Sequence, residues 1–119
     1  MARVLIIDDS AFMRIAIKNI LEMNGFEIVG EAENGFKGLI KYKQCKPDLV
    51  TLDITMPEMN GIEALKAILA YDPKAKVVMV SAMGQEAIVK EAMLFGAKSF
   101  ILKPFKEDHV VRTLKRVFP

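Results

Sequence analysis

The stretch Val4-Leu-Ile-Ile-Asp-Asp-Ser10 decides the fold, because a continuous apolar run ends abruptly in two carboxylates. Four more apolar runs follow along the chain, and three of them also end in a polar residue. Runs that are continuous rather than alternating are typical of strands covered on both faces. The predicted strands are Arg3–Asp8, Glu27–Glu31, Asp48–Asp53, Lys76–Ser81 and Ser99–Lys103.

Segments with helical periodicity separate the predicted strands. Ser10 is the predicted N-cap of the first helix, and Gly96 is predicted to end the fourth. In the second helix, the apolar face is expected to carry Leu39, Ile40 and Tyr42. Strict alternation of strand and helix predicts an α/β fold, the flavodoxin-like doubly wound (βα)5 sandwich with a parallel sheet in the order 2-1-3-4-5. The predicted helices are Ala11–Met23, Gly35–Cys45, Asn60–Tyr71, Gln85–Phe95 and Lys106–Phe118.

The composition predicts one globular domain over residues 1–119. A chain of 119 residues with 52% hydrophobic and 27% charged residues is large enough for one core and is not a disordered chain. The net charge of +2 gives no basis for nucleic-acid or membrane binding. The lone Cys45 excludes an internal disulfide and favours a reducing compartment, and the N-terminus lacks a signal peptide. We therefore expect a cytoplasmic monomer.

Polar residues at the strand ends mark the expected site. Asp8 and Asp9 follow the first apolar run, Asp53 the third, Ser81 the fourth and Lys103 the fifth. In open parallel sheets, ligands bind beyond the carboxyl ends of the strands, where the strand order reverses. For the order 2-1-3-4-5 that point lies between the first and third strands. The periodicity and the chemistry therefore select the same place.

Clustered carboxylates at this edge predict a divalent-cation site. Neighbouring carboxylates repel one another, and Mg²⁺ relieves the repulsion with oxygen ligands while it keeps several waters. Asp9 is expected to coordinate the ion directly and Asp8 partly through water. Asp53 and the backbone carbonyl of Thr55 complete the expected ligand set, and Mn²⁺ is the second candidate metal. Taken alone, Asp8 and Asp9 also fit a strand-end turn that caps the first helix.

Asp53 is the predicted phosphoacceptor. Pro57 and Asn60–Gly61 predict a looped exit from the third strand, which keeps the Asp53 carboxylate accessible. A carboxylate beside a metal can attack phosphorus as a nucleophile and give an acyl phosphate. Lys103 would supply positive charge to the phosphoryl oxygens, and Ser81 would supply a hydroxyl.

At these residues the chain resembles the receiver domain of two-component response regulators. The narrower motifs DDSAFMR, MPEMNGIEAL and SAMGQ resemble the single-domain chemotaxis regulators of the CheY type. The resemblance implies a phosphoacceptor signalling protein rather than an enzyme. In this family a histidine kinase, here of the CheA type, or a small phosphodonor would phosphorylate Asp53 in a Mg²⁺-dependent step that the receiver itself catalyses. The four matching motifs are VLIIDDS (4–10), LVTLDITMPEMNGIEAL (49–65), VVMVSAMG (77–84) and GAKSFILKPF (96–105).

The resemblance also implies how the signal leaves the site. Ser81 would move toward the phosphoryl group, and Phe100 would rotate into the space that Ser81 leaves. The face made by the fourth helix, fifth strand and fifth helix would then bind a motor-switch or adaptor protein of a flagellar or archaellar motor. A phosphatase is a further expected partner. A core aromatic residue is the alternative interpretation of Phe100.

Two further features concern the rate of phosphate loss and the backbone near the site. Thr55 and Met83 are expected to flank the path of the attacking water. Because Met83 cannot orient water by hydrogen bonding, we predict slow autodephosphorylation. The Lys103–Pro104 peptide bond is a candidate for the cis isomer, which would turn the lysine toward the site.

Other functions fit parts of the pattern. A phosphorelay intermediate, or a receiver cut from a larger regulator, would share every residue of the site. A haloacid-dehalogenase-like phosphatase also uses an aspartate nucleophile after a strand, but it requires a second Asp where this chain has Thr55. A flavodoxin-like FMN binder would place the flavin phosphate at the first strand–helix turn, where Asp8 and Asp9 would repel it.

Overall fold

The computed structural model describes residues 1–119, which form five strand–helix units. All strands are parallel and lie in the order β2-β1-β3-β4-β5, so the predicted flavodoxin-like fold is confirmed. No helix has the length and apolarity that a membrane span requires. The strands are β1 (Arg3–Ile7), β2 (Glu27–Ala32), β3 (Leu49–Asp53), β4 (Val77–Ser81) and β5 (Ser99–Leu102), and the helices are α1 (Ala11–Met23), α2 (Gly35–Cys45), α3 (Gly61–Tyr71), α4 (Glu86–Phe95) and α5 (Glu107–Val117).

Two layers of helices bury the sheet. Helices α2, α3 and α4 pack over one face in a cluster of 17 buried residues, and α1 and α5 cover the other face in a cluster of 10. Leu52 and Val78 show the arrangement, because both are fully buried but belong to different clusters. Burial on both faces explains why the strands read as continuous apolar runs.

Side-chain caps mark the points where α1, α2 and α3 begin. The Ser10 hydroxyl accepts a hydrogen bond from the Met13 N–H at 3.2 Å, as the sequence predicts for the start of α1. At α3, Asn60 and Glu63 form a reciprocal capping box with distances of 2.9 and 3.1 Å. Gly96, with φ +117°, ends α4 in the left-handed conformation. The β1–α1 and β3–α3 connections at the carboxyl edge of the sheet therefore end at defined residues, Ser10 and Asn60.

Helix α2 does not bury all of the face that hydrophobic periodicity predicts. Tyr42 is buried as expected, but Ile40 is exposed, so the prediction for Ile40 is wrong. The buried face instead contains Gly38, where an added Cβ would lie 2.5 Å from the Ile7 Cδ1 atom. A helix face formed by glycine packs closely against β1, and a count of apolar side chains cannot detect it.

Candidate functional site

Three carboxylates meet at the carboxyl edge of β1 and β3. Ligand oxygens of Asp8, Asp9 and Asp53 all lie within 4.8 Å of one another. The parallel pairing of Ile7 with Leu52 explains this proximity, because Asp8 and Asp53 are the next residues on neighbouring strands. Asp8 and Asp53 are buried, whereas Asp9 is exposed. The structure thus places together the carboxylates that the sequence suggests as metal ligands.

Hydrogen bonds hold the β1–α1 loop that carries the acidic pair. The Asp8 N–H donates to the Ala32 carbonyl at 3.0 Å, and the Asp8 carboxylate accepts from the Ser10 N–H at 2.9 Å. Arg14 Nη1 donates to the Asp8 carbonyl at 2.6 Å, while Arg14 Nε lies 3.3 Å from the Glu31 carboxylate. Arg14 therefore fixes the backbone of this loop. Sequence reasoning missed this role, because nothing in the chain order indicates that Arg14 turns back toward Asp8.

The β3–α3 loop leaves Asp53 through a close backbone contact. The Gly61 N–H donates to the Ile54 carbonyl at 2.8 Å, and a Cβ on Gly61 would lie 2.5 Å from the Asp53 carbonyl oxygen. Only glycine fits this contact, so the Asn60–Gly61 pair brings α3 directly against the end of β3. Glu58 adopts φ +68° after Pro57, which marks a tight turn in the loop.

Burial and like charge destabilise the ionised form of Asp53. Burial is the larger cause and the Asp8 charge the next, and together they raise the Asp53 pKa to about 6. Lys103 and a backbone hydrogen bond from Thr55 lower this pKa in part. The Lys103 ammonium lies 3.4 Å from an Asp8 oxygen and 3.5 Å from an Asp53 oxygen. One ammonium among three carboxylates leaves net negative charge, so the donor set fits a hard divalent cation.

The Ser81 hydroxyl is buried without a partner. Ser81 is 1% exposed, and its Oγ makes no hydrogen bond within the protein. Leaving a buried hydroxyl unpaired costs about 1–3 kcal/mol, which makes this group ready to bond an incoming polar ligand. Ser81 ends β4 beside Leu102, and Lys103 follows Leu102 on β5. The Lys103–Pro104 peptide bond is cis.

The remaining predicted residues lie nearer the solvent. Phe100 is 39% exposed, so its ring is not a buried core aromatic in this conformation. Met83 is 84% exposed in the β4–α4 loop, and the Thr55 side chain is also exposed. These positions leave Met83 and Thr55 open to water at the rim of the site.

A further polar contact crosses the mouth of the site. The Gln85 Oε1 atom accepts a hydrogen bond from the Ala82 N–H at 2.7 Å. The Gln85 Nε2 atom donates to the Thr55 hydroxyl, also at 2.7 Å. The sequence identifies Gln85 only as the start of the fourth helix and gives no signal for this contact.

The sheet is parallel, and its strands have the order given above. Acids lie at the ends of β1 and β3, a hydroxyl at the end of β4 and an ammonium at the end of β5. Together these features define a receiver-type signalling domain. Residues 4–115 match the family model described as the response regulator receiver domain, and the chain belongs to this family.

Within this family the chain is similar to chemotaxis regulators over nearly its whole length. It is 56% identical to the chemotaxis protein CheY of Thermotoga maritima, over 97% of this chain and 96% of that protein. It is also 56% identical to CheY of Bacillus subtilis, over 96% of this chain and 95% of the relative. A crystal structure of the CheX-CheY-BeF3-Mg complex from Borrelia burgdorferi matches with a TM-score of 0.94 and 42% identity, over 99% of this chain and 90% of that one.

Proposed function

We propose that this chain is a chemotaxis response regulator that accepts a phosphoryl group on Asp53 and thereby changes its binding to a partner. The observation that carries the proposal is the position of Asp53, which is 5% exposed, lies beside Asp8 and Asp9, and is 3.5 Å from the Lys103 ammonium. The full-length similarity to CheY proteins supports the assignment to chemotaxis.

In the proposed reaction, an Asp53 carboxylate oxygen attacks the phosphorus of the donor. The new bond joins that oxygen to phosphorus, while the bond from phosphorus to the donor's imidazole nitrogen, or to the oxygen of acetyl phosphate, breaks. The leaving group keeps the electron pair of the broken bond. Lys103 stabilises the charge on the phosphoryl oxygens, because its ammonium already lies between Asp8 and Asp53.

The acidic cluster would hold the metal on which this reaction depends. Asp8, Asp9, Asp53 and the backbone carbonyl of Thr55 are the proposed ligands of Mg²⁺, with Mn²⁺ as the alternative ion. When bound, the ion supplies positive charge that neutralises the carboxylates and the phosphoryl oxygens. Arg14 keeps the Asp8 backbone in place for this role through its hydrogen bond to the Asp8 carbonyl.

Ser81 and Phe100 are the proposed switch. The unpartnered Ser81 hydroxyl donates to a phosphoryl oxygen, and Phe100 turns from its partly exposed position toward the space that Ser81 leaves. The phosphoryl group thus favours one of two conformations and shifts the population between them.

An exposed apolar surface on α4 and β5 supports a protein partner. Large apolar side chains on the surface of a monomeric protein can mark a site where a partner binds. We propose a histidine kinase of the CheA type as phosphodonor and a motor-switch or adaptor protein as the output partner. A phosphatase, such as a CheX-like protein, is a further candidate. The exposed residues are Met93 and Leu94 on α4 and Phe100 and Leu102 on β5.

Incubation with acetyl phosphate and Mg²⁺, followed by intact-mass measurement, tests the proposal. The wild-type protein is expected to gain a single phosphate adduct that is absent when EDTA is added. Asp53→Asn is expected to gain none, whereas Asp108→Asn, which changes an exposed acid on α5, should react like the wild type. An adduct of equal yield on Asp53→Asn, or in EDTA, would overturn the proposed chemistry.

A further inference from the structure

The Gln85 side chain joins the two loops that flank the proposed phosphoacceptor. One end of its amide bonds the Ala82 N–H, and the other bonds the Thr55 hydroxyl, each at 2.7 Å. Ala82 directly follows Ser81 in the chain, and Thr55 lies two residues after Asp53 in the β3–α3 loop. The bridge therefore connects the neighbour of the switch serine to the loop that follows Asp53.

The same residue forms the start of α4. Gln85 is the N-cap residue of α4, but its side chain makes no capping hydrogen bond. The first N–H groups of a helix have no partner within the helix, and an N-cap side chain normally supplies one. Here the side chain bonds the two loops instead, so the first turn of α4 is tied to the bridge.

We propose that Gln85 is an autoinhibitory bridge that stabilises the unphosphorylated conformation. This inference rests on the proposed function, because it assigns a restraint on the movement of Ser81. Ser81 cannot move toward a phosphoryl group on Asp53 without also moving Ala82, which follows it in the chain. That movement pulls the Ala82 N–H away from the Gln85 oxygen. Loss of the bond frees the Gln85 side chain, its link to Thr55 and the first turn of α4.

Removal of the bridge should shift the equilibrium from the unphosphorylated conformation toward the switched conformation by a measurable amount. Gln85 is half-buried and its two partners are exposed. Because water competes for these groups, each hydrogen bond contributes only a modest net free energy to the stability of this conformation. Two such bonds shift a two-state equilibrium by about fivefold to tenfold. A ligand that binds the switched conformation should bind more tightly by this factor when the bridge is removed.

Titration of the Mg²⁺-loaded protein with beryllofluoride, which mimics a phosphoryl group, measures this factor. Gln85→Met keeps the side-chain length but removes both hydrogen bonds, and it should lower the apparent Kd about fivefold. Thr55→Val removes only one end of the bridge and should lower the Kd less. The double variant should bind no more tightly than Gln85→Met, because both changes break the same connection. Gln44→Met, on the exposed side of α2, is the matched control and should leave the Kd unchanged.

Amide hydrogen exchange of the metal-free protein supplies a readout that does not depend on ligand binding. The Ala82 N–H should exchange several-fold faster in Gln85→Met than in the wild type, because its acceptor is gone. Any of three results would overturn the bridge. The first is a beryllofluoride Kd for Gln85→Met within twofold of the wild type, and the second is unchanged hydrogen exchange at the Ala82 N–H. The third is a double variant in which the effects of Gln85→Met and Thr55→Val on the Kd simply add. Failure of the wild type itself to bind beryllofluoride would instead overturn the proposed function.

Discussion

Replacing Asp53 with asparagine removes a carboxylate that is 5% exposed and lies among two other acids, while it keeps the shape of the side chain. Burial and the charge of Asp8 raise the Asp53 pKa from 3.8 to about 6. Each pKa unit corresponds to about 1.4 kcal/mol, so ionisation of Asp53 costs the metal-free folded state about 3 kcal/mol at neutral pH. This figure already includes the attraction of Lys103, which lowers the Asp53 pKa. Burying the asparagine amide has a cost of its own, so Asp53→Asn should be more stable than the wild type by about 1–3 kcal/mol.

The pH dependence has a definite sign. Because the folded-state pKa of Asp53 is raised, the unfolded chain ionises first as the pH rises from about 4. At Asp53 the folded wild type binds more protons than the unfolded chain between about pH 4 and pH 6, so the contribution of this group to stability falls across that window. The introduced asparagine does not titrate, and the stability difference between variant and wild type should therefore grow from near zero below about pH 4 to its full value above about pH 6.

Urea unfolding in EDTA, followed by circular dichroism at several pH values, measures this difference. Glu91→Gln serves as the control, because this exposed acid lies in the middle of α4 and its replacement should change the free energy of unfolding by less than about 0.5 kcal/mol. Saturating Mg²⁺ should narrow the difference, since it stabilises the wild type more than Asp53→Asn. The raised pKa of Asp53 would be refuted if Asp53→Asn were no more stable than the wild type at neutral pH, or if the difference did not change with pH.

Three further variants test the neighbours of Asp53. Lys103→Met removes the ammonium 3.4 Å from Asp8, and it should weaken beryllofluoride binding at least about tenfold while Mg²⁺ still binds; loss of Mg²⁺ binding would contradict this role. Arg14→Ala removes the hydrogen bond to the Asp8 carbonyl, and calorimetric titration should show about threefold or greater weakening of Mg²⁺ binding; an unchanged affinity would exclude a positioning role. Met83→Glu places an acceptor at the rim of the site, and labelled phosphate should be lost at least about twofold faster; an equal half-life would count against control of hydrolysis by Met83.

The strand ends are the part of the site that the sequence predicts well. Continuous apolar runs mark strands buried on both faces, and parallel strands open at one edge of the sheet. The positions of Asp8, Asp53, Ser81 and Lys103 follow from these two facts without any knowledge of the loops. Parallel strands alone place these four residues at the same edge, and the strand order then brings Asp8 and Asp53 together.

Contacts between loops are the part that the sequence does not predict. The Gln85–Thr55 hydrogen bond joins residues 30 positions apart, and it depends on the path of two loops rather than on any periodic pattern. Arg14 likewise reaches Asp8 only because the β1–α1 turn brings its side chain back over the backbone. Both residues also fit ordinary helix positions, so their residue types alone carry no signal.

The exposure of β5 shows a second limit. Phe100, Ile101 and Leu102 form one apolar run, which predicts burial on both sides of the strand. The structure buries Ile101 and leaves Phe100 and Leu102 partly exposed, because β5 is at the edge of the sheet. Hydrophobicity cannot distinguish a covered face from one that is left for a partner.

The most direct test of the phosphoacceptor role is the location of the phosphoryl group itself. Borohydride reduces an acyl phosphate to an alcohol, so treatment of the protein after reaction with acetyl phosphate and Mg²⁺ should convert Asp53 to homoserine. Fragmentation of the resulting peptides by mass spectrometry identifies the modified position. A phosphoacceptor role for Asp53 predicts homoserine at position 53, with Asp8 and Asp9 unchanged. Homoserine at position 8 or 9, or a phosphate adduct that leaves position 53 as aspartate after reduction, would contradict it.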